Sequence, residues 1–300
     1  MASTPYKTYN TQDLEYNSLC TNYNIPGFPI NLDREQLSAF LDMQSPLHWN
    51  DEMEIVYIEK GCMNAILNGE CILLHENDIL IINARCVHYF KSYKGHDCIY
   101  YCSLTNESIF TSAPEIKKKY IDPIYHSFSP NYVLITKDSK YHYEIQRVLH
   151  RSFELIETKP EGYELLVICC LHEFIRLLWA LLGDKINKGI PVDKKEANML
   201  THMLTYIHEN YDTKISIDEL CQIGGVSRNR CFDIFKNYTD DTPSNYILKY
   251  RLRRAAILLR ESNAPISEIA IQCGFSQQSH FTKHFSANYG KTPLHYRKGV

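Results

Sequence analysis

The chain has 300 residues, enough for two domains that each bury a core of their own. Its formal charge of -3 excludes a polypeptide that is basic throughout, yet the charge is unevenly divided: residues 193–300 carry 15 Lys and Arg against 11 Asp and Glu, and the residues before them 17 against 24. Eleven cysteines stand at spacings that give neither a disulfide framework nor a paired zinc site, so they read as small apolar groups in a reducing cytoplasm, and nothing in their spacing supports redox sensing.

In chain order, Met1 to Tyr23 is polar and lacks the apolar core of a signal peptide. Up to residue 45 there is little periodicity beyond Leu37 to Met43. From His48 to Thr105 short segments rich in β-branched and aromatic residues follow one another: Glu54 to Glu59, Met63 to Leu67, Glu70 to Leu74, Asp78 to Ile82, Val87 to Lys91 and Cys98 to Leu104. Lys60-Gly61, Asn68-Gly69 and Glu76-Asn77 separate them as turns, and Asn-Gly between two apolar alternations is a strong hairpin mark. Strands at such even spacing predict a small antiparallel barrel or jelly roll over residues 1–140.

Tyr141 to Glu157 and Glu161 to Leu182 read as a helical pair broken at Lys159-Pro160-Glu161-Gly162. The second helix is apolar almost all round, so it requires burial on several sides, against the barrel and against a second copy of the chain. A homodimer through residues 141–183 is expected. His172, Glu173 and Arg176 interrupt the run Leu165 to Leu182, which makes it too short and too charged for a membrane span. Residues 184–193, with Gly189 and Pro191, read as a linker.

Residues 194–300 contain one pattern written twice. Leu220-Cys221-Gln222-Ile223-Gly224-Gly225-Val226-Ser227 returns as Ile269-Ala270-Ile271-Gln272-Cys273-Gly274-Phe275-Ser276, and Thr242-Pro243-Ser244-Asn245-Tyr246 as Thr292-Pro293-Leu294-His295-Tyr296. Each copy reads as helix, tight turn and helix. Gly225 and Gly274 sit where the first helix stops and a left-handed residue is needed, and Ser227 and Ser276 offer side-chain oxygens to the next helix. Cys231, Ile234, Phe235 and Tyr238, then Phe281 and Phe285, mark the core faces.

The opposite faces carry Asn229, Phe232 and Asp233 in the first copy and Gln278, Ser279, Thr282 and Lys283 in the second. Most of these residue types can read base edges. Arg228, Arg230 and Lys236 flank them and suit phosphate oxygens. For Phe232 packing on the helix flank is an equal reading, and Arg251, Arg253 and Arg254 also fit a solvated face. Between the copies Ser244 to Arg260 has no internal Gly or Pro. At about 1.5 Å per residue it is a rod of roughly 25 Å, suited to holding two reading helices near one DNA turn apart. The positive excess of residues 193–300 falls where phosphates would lie.

The paired units, the run Arg251-Leu252-Arg253-Arg254-Ala255, the phrase Ile269 to Phe275 and the closing Thr292-Pro293-Leu294-His295-Tyr296-Arg297 resemble the DNA-binding domain of the AraC/XylS family of bacterial transcription regulators. The preceding strands resemble that family's cupin-like sensor. Asp240 departs from the family by standing where a glycine is usual after the first reading helix. The resemblance implies a two-domain α+β protein: a cupin-like antiparallel β-barrel or jelly roll with a helical pair, then an all-α double helix-turn-helix. It implies a cytoplasmic regulator, not an enzyme, that partners double-stranded DNA and a small-molecule effector and leaves room for RNA polymerase. Cupin enzymes hold a metal with three histidines and a glutamate; here His48, Asn50, Glu54 and His88 occupy comparable places, and asparagine is a poor ligand for metals that imidazole suits. The reading therefore takes no metal and no cofactor, and expects a pocket of His48, Trp49, Tyr57, His88 and Tyr101 for a sugar or other small polar molecule. The competing reading is a metal-dependent cupin enzyme with an accessory DNA-binding domain.

Overall fold

The computed structural model describes residues 27–84, 86–110, 113–126, 132–187 and 195–298, and the chain divides into two compact units between residues 194 and 195. Met1 to Tyr23 and residues 188–193 of the expected linker lie outside the described residues.

The N-terminal unit is built on β1 (Ile30–Gln36), β2 (Met53–Leu67), β3 (Glu70–His75), β4 (Ile79–Ile82), β5 (His88–Ser92), β6 (Cys98–Thr105) and β7 (Tyr132–Ile135). One antiparallel sheet runs β1-β6-β2-β4-β7, and β2 pairs with β3 and β5 in a second. Among the described residues the barrel expected from the sequence is therefore not closed: β1 and β7 end the first sheet, and β2 is the one strand that belongs to both. The expected turn at Lys60-Gly61 is absent. The strand continues through it, with Gly61 at φ 89°, and a bulge between Ile58 and Lys60 bends the 15-residue strand from one sheet into the next. Asn68-Gly69 is the tight turn its sequence predicts, with φ of 47° and 86° and Leu67 opposite Glu70. Positive φ at both positions matches the right-handed twist of the flanking strands.

Along β2 the side chains alternate. Met53, Ile55 and Tyr57 join Ile79, Ile81 and Ile135 in a core shared with two helices, α3 (His142–Thr158) and α4 (Tyr163–Asn187), while Glu54, Val56 and Ile58 face the other way. Two short helices, α1 (Pro114–Ile116) and α2 (Asp122–His126), precede β7. By length and composition Tyr163–Gly183 would suffice to cross a membrane, against the expectation that it is too short. Its apolar character is used internally: Val167, Leu171, Phe174, Ile175 and Leu178 are buried in the sheet–helix core. Leu165 and Leu166 remain exposed.

The C-terminal unit is helical: α5 (Lys195–Asn210), α6 (Ile217–Gly224), α7 (Arg228–Thr239), α8 (Pro243–Glu261), α9 (Ile266–Gln272), α10 (Gln278–Tyr289) and α11 (Pro293–Lys298). Ser216 and Glu219 form a reciprocal capping box at the start of α6. Ser227 caps α7 and Thr242 caps α8. Ser276 does not cap α10. The second copy takes one more residue after its turn, so Gln277 occupies the cap position and makes no side-chain cap bond.

Candidate nucleic-acid interface and ligand site

Each helix-turn-helix unit turns on a glycine, Gly225 with φ 62° and Gly274 with φ 76°. After each turn one face of the following helix is committed to the core. Cys231, Ile234 and Phe235 of α7, and Phe281 and Phe285 of α10, are fully buried, whereas Tyr238 is only partly so. The remaining face lies outside the core. Asn229 and Asp233 on α7 are exposed and Phe232 is half-buried; Gln278, Ser279 and Lys283 on α10 are exposed and Thr282 is half-buried. All seven residues read as base-facing thus lie on the two helices that follow the turns.

The three cations read as phosphate ligands already have partners. Arg228 pairs with Asp218 at 3.1 Å, Arg230 with Glu196 of α5, and Lys236 with Asp240 at 2.5 Å. Pairs this exposed contribute about 0–1 kcal/mol, so a phosphate can replace the carboxylate at small cost. Asp240, the departure from the family's glycine, caps α7 with φ 58°, a conformation Asp tolerates better than most residues.

The bridging helix is held by arginines rather than merely solvated. Arg251 donates to the main-chain oxygens of Tyr211 and Thr213 at 2.7 and 2.5 Å, and the Arg254 guanidinium lies 5.4 Å from the Tyr211 ring centre. Sequence reasoning missed this role, which depends on a loop about 40 residues away in the chain.

In the N-terminal unit the five residues expected to line one pocket are divided between two faces. Tyr57 and Tyr101 stand opposite each other on β2 and β6 and point toward α3: Tyr57 bonds Asn77 and Gln146 and packs on His150, and Tyr101 stacks on Phe153. His48 and His88 lie on the other face, their ring centres 4.3 Å apart, because a two-bond bridge pairs their backbones. Trp49, next to His48 in the chain, is buried. Alternation along β2, shifted in phase by the bulge between Ile58 and Lys60, separates the two tyrosines from the two histidines.

Glu54, which sequence reasoning compared with a metal ligand, joins the two histidines. Its Oε2 is 2.9 Å from His88 Nε2, 3.9 Å from His48 Nε2 and 2.7 Å from the Asn50 amide nitrogen; Oε1 is 3.1 Å from the Cys102 thiol. Burial would raise the Glu54 carboxyl, but the histidines and the Cys102 hydrogen bond outweigh it and hold the group at about 2. Burial and the neighbouring His88 push His48 down to about 4. His88 moves upward, because Glu54 overcomes its desolvation.

Two family matches now decide the identity. Residues 40–175 match the AraC-like ligand binding domain and residues 220–299 a helix-turn-helix domain. The chain belongs to the AraC family of transcription regulators. It is similar to the HTH-type transcriptional regulator YdeC of Bacillus subtilis, at 28% identity over 93% of this chain and 94% of that protein. It is also similar to the HTH-type transcriptional activator RhaS of Escherichia fergusonii, at 24% identity over 85% of this chain and 88% of that one. Among solved structures, a transcriptional regulator with an AraC-type DNA-binding domain from Chromobacterium violaceum is 33% identical over 34% of this chain and 90% of its own, with a TM-score of 0.33. As an AraC-family member the protein combines a ligand-binding N-terminal unit with a DNA-binding C-terminal unit.

Proposed function

We propose that this AraC-family protein regulates transcription in the cytoplasm by reading two successive major grooves with α7 and α10. Asn229, Phe232 and Asp233 approach bases in one groove and Gln278, Ser279, Thr282 and Lys283 in the next, while Arg228, Arg230 and Lys236 exchange their carboxylate partners for phosphates. The observation that supports this is the matched division of α7 and α10 into a buried aromatic or aliphatic face and a polar exposed one, with the 19-residue α8 between them. At 1.5 Å per residue α8 is about 28 Å long, close to one turn of duplex. A small effector seated on the face that carries His48 and His88 controls binding. Leu165 and Leu166, left exposed on α4, contribute to a homodimer through α3 and α4.

Selection of bound duplexes from a random library tests the DNA reading. Two preferred blocks about one helical turn apart are expected; a single short block would overturn the two-groove arrangement. A thermal-shift screen of sugars and small metabolites, repeated on His48→Gln, tests the effector seat: stabilisation lost in the variant is expected, and an identical response in both proteins would remove that face from the assignment.

A further inference from the structure

We propose that His48, Glu54 and His88 bind one divalent transition-metal ion of the zinc, manganese or iron(II) class. The three ligand atoms lie within 4.8 Å of one another.

The hydrogen bonding around the rings carries the argument. His48 Nδ1 lies 3.0 Å from the Pro46 carbonyl oxygen and His88 Nδ1 2.8 Å from that of Cys86. A carbonyl oxygen only accepts, so each Nδ1 must carry the hydrogen, and each neutral ring then presents a lone pair at Nε2. Both Nε2 atoms lie near one carboxylate oxygen of Glu54, at 2.9 and 3.9 Å. Three acceptor atoms gathered this closely repel unless positive charge stands among them. A proton on His88 meets only part of this repulsion: its Nε2, 2.9 Å from Glu54, makes no well-directed hydrogen bond, and the approach of His48 Nε2 to Glu54 remains. A metal ion accepts all three lone pairs at once.

The dimensions and surroundings agree. An ion about 2.1 Å from each ligand needs ligand atoms roughly 3.0–3.4 Å apart, and the separations from Glu54 to the two histidines, 2.9 and 3.9 Å, bracket that range. Carbonyl acceptors behind both Nδ1 atoms are the outer-shell partners that fix a ligating imidazole, and Asn50 fixes Glu54 in the same way. Asparagine thus orients a ligand rather than standing in for a missing one. Two imidazoles and one carboxylate suit borderline divalent ions and leave coordination positions open for water or a small anion. His48, 23% exposed against 1% for His88, lies on the way in. Ion binding here is independent of whether a further ligand controls DNA binding.

The test uses the full chain, stripped with a chelator and then equilibrated separately with zinc, manganese and, anaerobically, iron(II). Metal analysis after desalting should find about one equivalent of at least one ion. His48→Gln and Glu54→Gln should each weaken binding at least ~10-fold while keeping the circular dichroism of the parent; should Glu54→Gln not fold, His48→Gln at the rim carries the comparison. Cobalt(II) supplies a second readout, a visible ligand-field band in the parent that is shifted or lost in His48→Gln. Substoichiometric metal with all three ions would overturn the proposal. So would a full equivalent that survives in His48→Gln but disappears in His284→Ala, which would place the metal on the exposed His280–His284 pair of α10.

Discussion

The Nε of Arg251 donates to the main-chain oxygen of Tyr211 at 2.7 Å, and that same oxygen would stand 2.5 Å from a Cβ added to Gly274. The second turn is thus packed against the loop that follows α5, with the Arg251 guanidinium 2.9 Å from the same imagined atom. The first turn has no such constraint, since a Cβ at Gly225 would meet nothing within 4 Å. Gly225→Ala should cost only the left-handed backbone penalty, about 1–2 kcal/mol. Gly274→Ala adds a clash with main chain, for a further ~1–3 kcal/mol. Urea denaturation of the two variants should show this asymmetry, and equal losses would contradict the packing.

The two copies also differ at their caps. Ser227→Ala removes the oxygen that receives the Arg230 amide and should destabilise by about 1 kcal/mol. Ser276→Ala, one position outside the cap of α10, should leave the denaturation midpoint unchanged. A comparable loss from both would mean that the second recognition helix begins earlier.

At the DNA surface the expected effects separate by role. Lys283→Ala should weaken binding by about 1–3 kcal/mol and relax base preference at one position. Arg230→Ala should weaken binding evenly across sequences and lower the salt slope by about 1. Glu196→Gln releases Arg230 from its ion pair and should strengthen binding with no change in preference. Anisotropy titrations over a salt series distinguish these outcomes.

The histidines predict a pH dependence in chelator-stripped protein. His48 has a folded pKa of about 4, set by burial and by His88, against an ordinary 6.5. Between these values the unfolded chain takes a proton that the folded chain refuses, so stability falls as pH drops from 6.5 to 4, by about 3 kcal/mol at most. His88, shifted upward, acts oppositely: its contribution is complete below pH 6.5 and is lost as pH rises through its folded value. His48→Gln should flatten the acid limb of a pH–stability curve, and NMR titration should find one imidazole still neutral at pH 5.

The C-terminal architecture was legible because it is local and repeated: glycine at each turn and apolar residues at helical spacing recur with a period near 50 residues. The N-terminal unit was less so. Ile30–Gln36 alternates only at its start and then runs through Asp33, Arg34 and Glu35, as suits an edge strand. The four residues of Tyr132–Ile135 give no usable period. Whether a sheet closes depends on which distant edges meet, and no local pattern carries that information. The separation of Glu54, compared with a metal ligand, from the expected pocket residue Tyr57 could, by contrast, have been read: they are three positions apart on one strand, so parity alone sends them to opposite faces. The approach of His48 to His88 could not, since His48 lies outside every strand and is held by one isolated bridge.

A single length of strand therefore serves two masters. Glu54 stands against His88 and His48 on one side while Tyr57, about 10 Å further along at 3.3 Å per residue, is tied to Gln146 and His150 of α3 on the other. Any twist or slide of β2 that relieves or tightens the grip on Glu54 must be transmitted to the helix through Tyr57, so the seat of a ligand and the lever it would move are cut from the same four residues.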